Sequence, residues 1–409
     1  MNIFKKAWLK IYSFTFYTFA YLLPWHEPKL IEGDGSLTKL PAKIKELGLN
    51  DIFLCADPGI LSLGMVAPLE QAIKDAGLKY VLFSKIEPNP KIRDIEIGVK
   101  AYHDAGCKCI IAFGGGSAMD TAKAIGARIA RPKKSIEQLG GLLKVMHKIP
   151  PLFAIPTTAG TGSETTVAAV VTNEVTHHKY AVNDLNLIPE YAVLDPLLTV
   201  GLPPFITACT GMDALTHAVE GYTCRSVPKH YQKLVEEAVP SIIHNVEKAY
   251  NNGKDIDARR EMLYASFKAG AVFTRVGLSY VHPIAHTLGG LYGVPHGLAN
   301  AVLLPHVMTY FGPCVYKKLA HLNDVCGLSK EGQTIEEKAK AFIAEIQRLD
   351  DSMKLTKKFE IYEKDIPQMI KWAQHESNSA YNPPRILDDK DLENIIRETC
   401  VIKKEDTTK

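Results

Sequence analysis

Between residue 33 and about residue 203, short apolar runs alternate with stretches whose apolar side chains recur every three or four residues. The runs at 51–55, 80–83, 109–113, 152–155, 167–171 and 191–194 are built largely from aliphatic and aromatic residues and predict strands. Helical spacing lies between some of them, as at 69–76 and 118–130. This alternation predicts an α/β domain with a mostly parallel sheet covered by helices. After Pro203-Pro204 the pattern changes: helical periodicities at 231–250, 258–273 and 335–349 dominate, and convincing strand patterns stop. The expected organisation is an aromatic N-terminal segment over 1–27, an α/β domain over 28–203 and an all-helical domain over 204–409.

With 409 residues, 46% hydrophobic and 23% charged, the chain is long enough for two cores. A net charge of +3 gives no case for nucleic acid, and no basic run is interleaved with aromatics. Eight scattered cysteines without a CxxC pair predict free thiols in a reducing compartment. The N-terminus stands apart. Lys5, Lys6 and Lys10 precede a charge-free stretch, 11–25, that carries Tyr12, Phe14, Phe16, Tyr17, Phe19 and Tyr21. It is shorter than the roughly 20 residues that span a bilayer as a helix. Three readings follow: packing on its own fold or a sister subunit, an interfacial membrane anchor, or a cryptic targeting signal. The aromatics are spread around a helix rather than along one stripe, which favours packing.

Two loops suit a nucleotide. The run 109–113 leads into Gly114-Gly115-Gly116-Ser117 and then a helical stretch with Ala118, Asp120, Ala122 and Lys123. Glycines there let backbone N–H groups approach a phosphate at a helix N-terminus, although a tight turn alone also explains them. The pattern is not GxGxxG. The second loop, Pro156-Thr157-Thr158-Ala159-Gly160-Thr161-Gly162-Ser163-Glu164, offers hydroxyls and glycines to ribose or pyrophosphate oxygens; a polar surface turn also explains it, but two such loops in one domain favour binding. Asp57, just past the first strand run and before Pro58-Gly59, is either a ribose-binding carboxylate that repels a 2′-phosphate or a turn-initiating residue.

In the helical half, Asp213 and His217 are four residues apart and project from one helix face, close enough to hold one ion, although for this pair alone an ordinary polar pair on a solvated face is the simpler reading. From Val276 to Tyr316 there is no Lys, Arg, Asp or Glu, yet His282, His286, His296 and His306 all fall there. Histidines in so apolar a stretch need partners or a metal to offset burial. Three imidazoles and one carboxylate make a site for Fe²⁺ or Zn²⁺ with a position left for substrate.

Taken together, the blocks Gly114–Lys123, Pro156–Glu164, Gly211–Tyr222 and His282–Asn300 resemble, in order, the motifs of the iron-containing (group III) alcohol dehydrogenases, across residues 28–397. The resemblance implies a dinucleotide-binding α/β domain followed by an all-helical metal-binding domain, with the active site in the cleft between them. By motif, Asp213, His217, His282 and His296 match the metal ligands. His286 matches a histidine near the nicotinamide that does not ligate the metal. The matching cofactor positions are Asp57, Asn89, Gly115, Gly116, Ser117, Asp120, Thr157, Thr158, Thr166, Lys179 and Leu198. The N-terminal segment is not part of the family pattern.

The implied reaction is hydride transfer between a primary alcohol or aldehyde and NAD, with NADP as the alternative nucleotide and Fe²⁺ or Zn²⁺ as Lewis acid. His286 is the candidate proton relay, or else a residue that orients its neighbours. The rival class is a dehydroquinate synthase-like lyase using NAD and a metal. Its polyanionic substrate needs Lys or Arg near the metal, and the uncharged segment argues against it, favouring a small neutral substrate. A homodimer in the cytoplasm is expected, with peripheral membrane contact through residues 1–25 as the alternative.

Overall fold

A computed structural model describes Thr15 and residues 22–88, 90–174 and 179–404. The chain divides into two compact units, Pro24–Leu202 and a second that carries Pro203–Lys409.

The first unit is built on six parallel strands: β1 (Lys29–Glu32), β2 (Asp51–Ala56), β3 (Lys79–Phe83), β4 (Cys109–Gly114), β6 (Leu152–Pro156) and β9 (Tyr191–Leu194). Their order across the sheet is β1-β9-β6-β4-β2-β3. Successive side chains of the central strands go to opposite faces. Phe53, Cys55, Ile110, Ala112 and Ala154 enter one buried cluster, while Ile52, Leu54, Ile111, Phe113, Phe153 and Ile155 enter another. A sheet covered on both faces must be apolar at every position, which is why these strands read as unbroken runs. The helices Ile92–Asp104 and Gly116–Ala130 supply Ile95, Tyr102, Ala122 and Ile125 to the first cluster. Leu40–Glu46 and Ala67–Asp75 supply Leu40, Ile44, Leu69 and Ile73 to the second.

The run predicted at 167–171 is a strand, but it lies outside this sheet. β7 (Ala168–Thr172) pairs antiparallel with β8 (Lys179–Asn183), which also pairs with β5 (Gly141–Leu142) in a three-stranded sheet of their own. The edge strand β1 went unpredicted because three of its four residues are exposed and its KLIE sequence has no apolar run.

The second unit is helical, and its centre is the helix Pro204–Thr223. Nearly every residue from Thr207 to Thr223 is buried, since this helix packs against Lys229–Asn251, Ile256–Val276 and His296–Phe311. A helix apolar on all sides belongs inside a bundle. Beyond the helices, Phe359–Tyr362 and Cys400–Lys403 form a pair of short parallel strands, too brief to show as a pattern in the sequence.

All eight cysteines are free. No helix among the described residues is long and apolar enough to cross a membrane. The expectations for Lys5, Lys6, Lys10 and the aromatics Tyr12 to Tyr21 fall outside the described residues, as does Asn89.

Candidate metal centre and dinucleotide loops

Asp213 and His217 lie one helical turn apart on Pro204–Thr223 and are both buried. His282 is the second residue of the helix Val281–Tyr292, and His296 is the first of His296–Phe311. One ligand atom from each of the four falls within 4.8 Å of all the others. Asp213 Oδ1 is 4.0 Å from His217 Nε2, 3.9 Å from His282 Nε2 and 3.6 Å from His296 Nε2. The approach of the last helix depends on Gly297, where a β-carbon would stand 2.2 Å from the carbonyl oxygen of Cys209.

The chemistry of these atoms fits a divalent cation. Asn300 Nδ2 sits among them, 2.7 Å from Asp213 Oδ1 and 3.1 Å from both His282 Nε2 and His296 Nε2. An amide NH₂ has two hydrogens and cannot serve three acceptors at once. Its own Oδ1 is buried without a hydrogen-bond partner. A cation would satisfy all the acceptors together, and three nitrogens with one oxygen suit Fe²⁺ or Zn²⁺. Burial pushes His282 well below its ordinary pKa, which keeps its imidazole neutral as a ligand must be. Burial works to raise the Asp213 carboxyl, yet the three imidazoles and Asn300 hold it below its ordinary value.

Several contributors carry little signal in the sequence. Phe273 stacks on the His217 ring at 4.2 Å between centroids, and His217 stacks in turn on His282 at 4.7 Å. Glu220, fully buried, accepts from His282 Nδ1 at 2.5 Å. The only cue to it was its place on the Asp213–His217 face, at i+3 from His217 and i+7 from Asp213.

His286 is outside the four-residue cluster but stacks on His296, with centroids 5.2 Å apart and planes 16° apart. Its Nδ1 is 2.8 Å from Glu376 Oε1, which also accepts from the Tyr381 hydroxyl at 2.7 Å. Burial opposes the Glu376 carboxylate, but His286 and Tyr381 outweigh it and bring the group down to about 2.

In the α/β unit, β4 delivers Gly114 to the start of the helix Gly116–Ala130, whose N-cap Gly115 makes no side-chain cap. The helix N–H groups are thereby left for an anion. The Thr157 loop lies against this turn. Thr157 N donates to Gly114 O at 3.1 Å, and β-carbons at Gly115 and Gly116 would meet Thr158 and Thr161 at 3.6 and 3.2 Å. Asp57 takes the turn-initiating role its sequence allowed: Oδ1 caps the helix Pro58–Ser62 through Ile60 N at 3.0 Å, while Oδ2 faces Gly114.

Lys123 anchors the second loop from inside. Fully buried, its ammonium donates to Ser163 O, Thr166 O, Thr166 Oγ1 and Ala168 O at 2.6–3.1 Å. Asp120 accepts from Ser163 Oγ and Val170 N, both at 3.2 Å, and burial raises its carboxyl to about 6. Lys179 is lowered by burial, with the Asp120 charge opposing. Ser117 lies in the first turn of Gly116–Ala130. Leu198 is buried in the second core cluster.

Two family descriptions match the chain: iron-containing alcohol dehydrogenase over residues 27–196, and the C-terminal part of the Fe-containing alcohol dehydrogenase family over residues 207–400. A 1,3-propanediol dehydrogenase of Citrobacter freundii is 34% identical over 371 residues, covering 90% of this chain and 95% of that one. The chain belongs to the iron-containing alcohol dehydrogenase family. An NAD-dependent methanol dehydrogenase of Bacillus methanolicus is 32% identical, over 90% of this chain and 97% of its own length. Among solved structures, a 1,3-propanediol oxidoreductase superposes with a TM-score of 0.88 at 33% identity, covering 92% of this chain and 100% of that one. As a member of the iron-containing alcohol dehydrogenases, the chain is a metal-dependent oxidoreductase that moves hydride between an alcohol or aldehyde and a nicotinamide cofactor. Iron and NAD go with that membership, and the dehydroquinate synthase-like alternative is not favoured.

Proposed function

We propose that this enzyme interconverts small, neutral primary alcohols and their aldehydes, with Asp213, His217, His282 and His296 holding Fe²⁺. The observation that carries this reading is the convergence of three Nε2 atoms on the single carboxylate oxygen of Asp213. A divalent ion held there would supply Lewis acidity toward an alcohol or carbonyl oxygen, and NAD held by the two loops would supply the hydride chemistry. The protein's own part is to bind and orient. Gly115, Gly116, Ser117, Thr157 and Thr158 cradle the phosphates and ribose, with Asp120, Thr166 and Lys179 in the same cofactor set, while Lys123 and Asp120 hold the second loop in shape. Asp57 reads the adenosine ribose and disfavours a 2′-phosphate; Asn89 and Leu198 complete the proposed cofactor set. His286, oriented by Glu376, moves the alcohol proton toward solvent. The 276–316 segment has no charged residue, which supports an uncharged substrate.

Metal analysis of purified protein, with a panel of primary alcohols and aldehydes followed at the nicotinamide absorbance, tests the reading. Turnover of short neutral alcohols that tracks metal content is the expected outcome. Turnover independent of metal overturns it. Free cysteines support a cytoplasmic enzyme, and we take it as a homodimer, to be checked by light scattering. The aromatic N-terminus offers a second reading as a peripheral membrane contact. Liposome flotation with and without residues 1–25 separates the two.

A further inference from the structure

Glu220 is fully buried and lies on the same helix face as Asp213 and His217. Its two oxygens have different tasks. Oε1 accepts from Ser279 N and Val281 N, both at 3.0 Å, and from the Ser279 hydroxyl. Oε2 faces His282 Nδ1, at 2.5 Å. Two of the donors to Oε1 are backbone N–H groups, which cannot reverse their role. The carboxylate therefore cannot rotate its function. One oxygen closes the turn that begins the helix Val281–Tyr292, and the other is committed to the imidazole.

We propose that Glu220 is a positioning residue of the metal centre: its carboxylate holds the His282 proton on Nδ1, so that the Nε2 lone pair faces Asp213 Oδ1. This rests on the assignment of His282 as a metal ligand. The consequence is that one helix supplies two ligands, Asp213 and His217, and also fixes the tautomer and ring angle of a third on another helix. The hydrogen bond made by one imidazole nitrogen decides which proton state the other presents to a metal.

The arrangement gives Glu220→Gln a definite effect. The side-chain carbonyl must face the two backbone donors, so the NH₂ group is turned toward His282 Nδ1. That nitrogen must then accept, and the ring proton moves to Nε2, where it blocks ligation. Packing and the backbone bonds are retained.

The test uses full-length, metal-free protein at pH 8. Zn²⁺ is titrated against a chromophoric chelator for wild type, Glu220→Gln and His282→Ala, with circular dichroism to follow folding. Glu220→Gln should bind Zn²⁺ weaker by about 10- to 100-fold while unfolding like wild type. Nitrogen-15 spectra of the histidine rings, with His282 assigned from the His282→Ala difference, should show the Nδ1–H tautomer in wild type. Undiminished Zn²⁺ affinity in Glu220→Gln overturns the inference, as does an Nε2–H tautomer in wild type, a readout that does not depend on Glu220→Gln folding. Undiminished affinity in His282→Ala would instead overturn the metal-site assignment beneath it.

Discussion

Asp57 Oδ2 lies so close to Gly114 that a β-carbon on the glycine would stand 2.7 Å from it. Gly114 also has a φ of 149°, a backbone conformation that side chains disfavour. Glycine at this turn therefore makes room for the carboxylate, and a negative charge stands beside the glycine-rich loop.

That charge predicts nucleotide choice. Asp57→Gly should relax the preference for NAD over NADP by on the order of 1–3 kcal/mol, read as the ratio of the two kcat/KM values. Losing the cap of Pro58–Ser62 to glycine costs only about a few tenths of a kcal/mol, so the variant should stay folded. Wild type that turns over faster with NADPH than with NADH would show that Asp57 does not select.

Chelation should abolish activity, and Fe²⁺ or Zn²⁺ should restore it. His282→Ala should fold but lose its metal, measured by elemental analysis beside a thermal melt. Since affinity alone favours Zn²⁺ over Fe²⁺, purified protein should take up zinc readily when both are offered.

Gly297→Ala forces a methyl group against the Cys209 carbonyl, a backbone atom that cannot swing away. The helix His296–Phe311 must retreat, and His296 with it. We expect a loss of about 1–3 kcal/mol in urea unfolding together with weaker metal binding. Wild-type stability and affinity would show that the helices can slide apart without cost.

Asp350 predicts a pH dependence. It is buried with its Oδ1 unpartnered, and burial, with Asp351 adding, raises its carboxyl to about 8. The folded state therefore holds this proton to higher pH than the unfolded chain does. The resulting stabilisation is complete below about pH 4 and lost as pH rises through about 8. Asp350→Asn should raise Tm at pH 8 by an amount worth on the order of 1 kcal/mol or more, and change it little at pH 4. An equal shift at both pH values would mean that ionisation is not the cause.

What the sequence determined by itself follows from local pattern. Buried parallel strands are apolar at every position, so the strands at 51–56, 109–114, 152–156 and 191–194 could be read directly. The Gly114–Ser117 turn, the Thr157 loop and the four metal-ligand candidates were also legible, because each sits in a short motif with its own chemistry. Which strand lies beside which was not. The run at 167–171 is as apolar as its neighbours, yet it joins a separate sheet, because pairing depends on partners such as Lys179–Asn183 whose own pattern is weak. The residues that support the site were equally hidden. Glu220 meets His282 across 62 positions, Asn300 meets Asp213 across 87, and Glu376 meets His286 across 90. A buried carboxylate or amide in a helix gives no sign in its spacing of the distant side chain it will meet. Only packing the helices brings those groups within hydrogen-bonding distance, where leaving them unpaired would cost more than any local propensity supplies.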